Sequence, residues 1–158
     1  MNPSLTKSAL VSCTKPTLPP VWSSRIDRWS QLDDSCFTFC EALHAWDYLV
    51  GLEKPQFIFI VLPNASNEAD LEFVNSGAAS PSKFVFTLPN ICASVLFQLI
   101  PFSGRTFCIS KGLDSLPFAL GEAKEMAGAN KSCWVFANSS ATEIDTRQVE
   151  FYLFSNKI

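Results

Sequence analysis

Residues 79–115 read ASPSKFVFTLPNICASVLFQLIPFSGRTFCISKGLDS and hold, in order, a helix, a strand and the start of a second helix. Leu88, Ile91, Cys92, Val95, Leu96 and Leu99 recur at three- and four-residue spacing, the cleanest helical stripe in the chain. Pro89 suits the first turn of that helix, and Pro101 forbids its continuation past Ile100. Thr106 to Ser110 (TFCIS) reads as a strand and Gly112 as the bend after it. A second amphipathic helix follows, with Leu116, Ala119, Leu120, Ala123 and Met126 on one side and Gly128 beyond its end.

Outward from this stretch the same alternation continues. Ser8 to Cys13 is expected as a short first strand, followed by a Pro-rich crossing from Lys15 to Pro20. Asp33 or Asp34 can cap a helix whose apolar face is Cys36, Phe39, Cys40, Leu43, Trp46 and Val50, with Gly51 as its stop. Gln56 to Leu62 (QFIFIVL) is a continuous β-branched and aromatic run, the pattern of a strand buried on both faces. Asn67 to Asn75 reads as a short helix with Leu71, Phe73 and Val74 inward, and Ser76 to Ser82 as loop. Ser132 to Asn138 and Val149 to Ser155 are the last strands, joined by a polar loop from Ser139 to Arg147. Strand–helix alternation implies right-handed crossovers and a mixed, mostly parallel sheet flanked by helices, an α/β fold; the final strand pair should be antiparallel.

Composition limits the function classes. The chain has 158 residues, 47% hydrophobic, with fourteen Phe and four Trp, enough for one sizeable core over residues 1–158. A net charge of −3 without a basic cluster argues against nucleic acid or an anionic membrane as the main partner. The apolar run Ile91 to Phe102 is broken by Ser94, Gln98 and Pro101, so no membrane span is expected. The first thirteen residues lack a signal-peptide core, which makes the cytoplasm the expected compartment. The six cysteines then read as reduced core residues rather than a disulfide framework. Residues 151–154, strand-like and followed by only four more, read as the end of a finished domain.

The order of elements resembles the N-terminal half of a thiolase-fold condensing enzyme, and more narrowly the β-ketoacyl synthase-like family that includes chain-length-factor-type proteins. The residues that carry this are Ser24-Arg25-Ile26-Asp27-Arg28-Trp29 before the first long helix, Ser80-Pro81 with Phe84, Pro89-Asn90, Ala93-Ser94, Gly104 and Ala123. The resemblance implies a thiolase-like half-fold in which the strand after Gly104 leads to the nucleophile slot. In an active synthase a cysteine stands there, acidified by the helix N-terminus beside backbone N–H donors. Here the slot falls at Leu113, which cannot take an acyl group, and the catalytic histidines belong to a C-terminal half that this chain does not contain.

Other candidates for chemistry are weak. Cys108 is expected to face the core, and Cys92 lies on a helical stripe. His44 is the only histidine and reads as solvated or at the core edge. With Cys36 and Cys40 it forms an i, i+4, i+8 line that serves a metal tetrahedron badly. Ser115 with Asp114 and Lys111 lacks the strained G-x-S-x-G elbow, and no phosphate-cradling glycine motif occurs. No catalytic residue, metal or cofactor is therefore expected.

The resemblance implies a non-catalytic subunit that pairs with an active ketosynthase, or with itself, through the strand leading to the slot. Phe102, Phe107, Cys108 and Ile109 are the interface candidates, with Phe84, Phe86, Phe97 and Phe118 expected to cluster nearby. An acyl carrier protein is a further candidate partner, and fatty acid or polyketide (aryl polyene-type) biosynthesis the implied setting. Two alternatives stand beside it: a thiolase-fold enzyme using Ser110 or Cys108, and a small carrier binding an acyl or polyene chain in an aromatic-lined cavity.

Overall fold

The FIFIV run Phe57–Val61 (β2) has every side chain buried, as a strand covered on both faces must. The computed structural model describes residues 4–46, 52–64, 67–77, 81–85, 88, 90–129, 131–140 and 145–155. Among them Ser4–Ser12 (β1), Arg105–Ile109 (β3), Cys133–Ser140 (β4) and Thr146–Phe154 (β5) join β2 in one sheet of order β1-β5-β4-β2-β3. β2 runs parallel to β3 and to β4. The pairs β4–β5 and β5–β1 are antiparallel. The sheet is mixed as expected, with parallel pairing confined to its β3–β2–β4 side.

Strand alternation divides the core in two. Ile58, Ile60, Trp134, Phe136, Val149 and Phe151 face Asp34–Ala45 (α1) and Ile91–Leu99 (α4). Phe57, Phe59, Val61, Val135, Ala137 and Phe154 face Ser115–Gly128 (α5) on the other side. The aromatic content concentrates on the α1/α4 face, where Trp134 packs edge-on against Phe151 at 5.4 Å between ring centroids. On the α5 face the helix instead presents Ser115, Ala119, Ala123 and Ala127, all buried at i, i+4 spacing. Small side chains let its backbone sit close to the phenylalanines of β2.

Helix α1 starts as its sequence predicts. The Asp33 carboxylate accepts from the Ser35 N–H at 2.8 Å, and Asp34 in the first turn pairs with Lys15 at 3.6 Å. A polar seam fixes α1 to the sheet: buried Asn138 of β4 donates to Thr38 Oγ1 at 2.9 Å and to the Ser35 carbonyl at 3.3 Å. Thr38 in turn donates to the Ser35 carbonyl at 2.9 Å.

Several expectations need correction. β1 begins at Ser4 rather than Ser8, because it pairs along the length of β5 past a bulge between Leu5 and Lys7. Leu71 and Val74 of Asn67–Asn75 (α2) do not face inward; they are 55% and 73% exposed. Helix α2 packs on the short helix Pro81–Phe84 (α3) instead of the sheet, with the Phe73 and Phe84 rings 5.9 Å apart. Pro81–Phe84 also replaces part of the loop read over residues 76–82, as proline is at home in a first helical turn. The expected polar loop is shortened from both sides by β4, which reaches Ser140, and by β5, which starts at Thr146. Val50, Gly51 and Phe86 lie outside the described residues.

Candidate functional site: the turn before α5 and the edge of β3

Strand β3 pairs with β2 on one side only and forms an edge of the sheet. Its C-terminal end is tied to the end of β2. The Leu62 N–H donates to the Ile109 carbonyl at 2.9 Å, and the Gly112 N–H to the Pro63 carbonyl at 3.2 Å. Gly112 has φ +59°, a conformation that side-chain-bearing residues adopt at a cost, and it opens the 3-10 turn Gly112–Asp114 that leads into α5. The fully buried Ser115 hydroxyl holds this turn, accepting from the Lys111 N–H at 2.7 Å and donating to the Gly112 carbonyl at 2.8 Å.

Leu113 sits at the middle of that turn, immediately before α5, and is 98% exposed. It offers no nucleophile, base or ligand atom. Lys111 lies over the Phe118 ring at 4.0 Å, so a cation and an aromatic flank the same turn. Ser115, the residue nearest in type to a nucleophile, has its oxygen spent on the turn. Ser110 is exposed, and its hydroxyl donates to the Pro63 carbonyl at 3.4 Å.

The interface candidates fall at different places along β3. Phe107 stacks on Phe59 at 5.2 Å and on Phe57 at 6.2 Å, on the α5 face, and remains 37% exposed. Ile109 shares that face, half-buried. Cys108 points to the α1/α4 face, half-buried, as expected, and burial pushes its thiol pKa up. Phe102 lies beyond the opposite end of the strand, paired with Phe97 at 5.2 Å. It borders an open groove of about 580 Å³ with Lys54, Pro55 and Gly104. A side chain at Gly104 would meet the Phe102 ring at 2.3 Å and the Gln56 carbonyl at 2.8 Å, so the entry to β3 requires glycine. Phe84 packs with Phe73 and Phe118 with Lys111. Among the described residues, the phenylalanines therefore do not gather into one cluster around β3.

Cysteines were individually legible as core residues, but not their grouping. Cys36 of α1 hydrogen-bonds to Cys40 one turn on and to Cys92 of α4. Those bonds, Cys40's first, hold the Cys36 thiol below the ordinary thiol range, whereas the same contacts and burial push Cys40 and Cys92 up. The signal for the trio was available: both α1 and α4 carry cysteine on the stripe that faces the core. His44 is exposed and does not complete the line with Cys36 and Cys40. Eight residues of helix rotate it about 80° from Cys36, out of the core.

A five-stranded mixed sheet with α1 and α4 on one face and α5 on the other is a thiolase-like half-fold. No family model matches the chain, and no curated protein does. Among solved structures it is similar to a chain in the structure of the ketosynthase ApeO in complex with its chain length factor ApeC from Xenorhabdus doucetiae. The likeness has a TM-score of 0.60 at 14% identity and covers 99% of this chain and 80% of that one. No helix among the described residues is long and apolar enough to cross a membrane.

Proposed function

We propose that this chain is a non-catalytic, ketosynthase-like subunit that pairs through β3 with an active β-ketoacyl synthase and helps to shape its acyl tunnel. Fatty acid or polyketide synthesis in the cytoplasm is the setting, with an acyl carrier protein as a second partner. The observation that carries the reading is the contrast between the two edges of the sheet. β1 is interrupted by a bulge between Leu5 and Lys7, a device that discourages strand addition. β3 has an unbroken register with β2 and presents Phe107 half-open to solvent. Further support comes from the leucine in the nucleophile slot and from the similarity to a chain of a ketosynthase–chain length factor complex.

The test is affinity capture of the tagged chain from its native cell extract, followed by size-exclusion light scattering. A stoichiometric complex with a full-length ketosynthase is expected. Recovery of this chain alone as a stable monomer contradicts the proposal.

A further inference from the structure

A second cavity, of about 240 Å³, shares no residue with β3 or with the turn before α5. It lies between the 3-10 turn Val21–Arg25, the end of α1 and the end of α4. Its walls are Trp22, Leu43, Trp46 and Leu99, each 6% exposed or less. Its rim carries Val21, Arg25 and His44, all exposed.

The polar groups around it are arranged unevenly. The Trp22 indole N–H is already spent on the Glu41 carboxylate, at 2.6 Å. That occupies the one acid on the adjoining turn of α1, while the indole ring lines the cavity and packs against Phe37 at 5.5 Å. Arg25 borders both this cavity and an adjoining groove lined by Gln98; it donates through Nη2 to the Gln98 carbonyl and has further N–H groups with which to meet a ligand. Walls therefore ask for an apolar, preferably flat body, and the rim for an anionic end. At interior packing density of about 0.75, the volume takes a body of roughly ten non-hydrogen atoms.

We propose that this cavity binds a small aryl-alkyl carboxylate, its ring between Trp22 and Trp46 and its carboxylate on Arg25, with His44 beside it. The proposal is independent of the partner reading for β3.

The test titrates the purified full chain with 3-phenylpropionate, followed by tryptophan fluorescence and calorimetry. The same is done with 3-phenylpropanol and 3-phenylpropylamine, which keep the body and change the charge. Saturable one-to-one binding of the carboxylate is expected, roughly tenfold tighter than the alcohol, with the amine weakest. Arg25→Gln, at an exposed position, should remove the preference for carboxylate over alcohol and leave alcohol binding in place. Val21→Trp, which narrows the mouth without entering the core, should weaken both. Absence of saturable binding, equal affinity for the three probes, or an unchanged preference in Arg25→Gln would each overturn the proposal.

Discussion

Removing the Ser115 hydroxyl leaves the Lys111 N–H without its acceptor in the turn that carries Leu113. Ser115→Ala should therefore cost about 1–2 kcal/mol, read as a fall in Tm of roughly 2–4 °C per kcal/mol. Leu113→Ser, at an almost fully exposed side chain, should stay within about 0.5 kcal/mol of the parent. Thermal melts of the two variants side by side show whether the turn depends on Ser115 or on Leu113. Tyr152 offers a second probe. Burial first, then its hydrogen bond to Glu150 at 3.0 Å, push its phenol up to about 12. Between about pH 10 and that value the folded state holds a proton that the unfolded state has lost. Its contribution to stability is thus complete below about pH 10 and is lost as pH rises through 12. An absorbance titration of phenolate in Tyr48→Phe should show the late transition, and a midpoint near 10 would refute it. Thiol labelling at neutral pH addresses covalent chemistry: Cys108, half-buried where the other five are buried, should react first, and all six slowly. A single fast cysteine would favour the enzyme reading instead. The position of Leu113 was legible because the strand, the glycine bend and the helix stripe were. The role of Ser115 was not, since a hydroxyl that closes a turn looks in sequence like any polar residue.

At the scale of elements, α5 depends on smallness. Ala119 and Ala123 are fully buried against a sheet face made of Phe57, Phe59 and Val135. Ala123→Leu should overpack this seat and cost about 1–3 kcal/mol; an unchanged denaturant midpoint would mean that α5 is not held close to the sheet. Apolar periodicity revealed α4 and α5 because each buries one stripe, and it revealed β2 because both its faces are covered. It misplaced Leu71 and Val74 because a stripe states which residues share a face, not what that face meets. Only the tertiary arrangement, in which α2 packs on α3, decides that. The seam from Asn138 to Thr38 was hidden for the same reason: its partners are a hundred residues apart.

The whole molecule is a sheet with two unlike edges. One is guarded by a bulge; the other is a short regular strand with Phe107 stacked on two phenylalanines and open on its outer side. Leu71 and Val74 of α2 and Phe84 of α3, also exposed, belong to a pair of helices packed on each other. The direct measurement is the mass, by size-exclusion light scattering, of the complex formed with the proposed ketosynthase partner by the parent and by Phe107→Asp. An aspartate at that point places an unpaired charge in the contact while the core behind it stays intact, which circular dichroism can verify. A stoichiometric complex is expected for the parent and free, folded subunit for the variant. A folded Phe107→Asp that still forms a complex of unchanged mass would contradict β3 as the pairing edge.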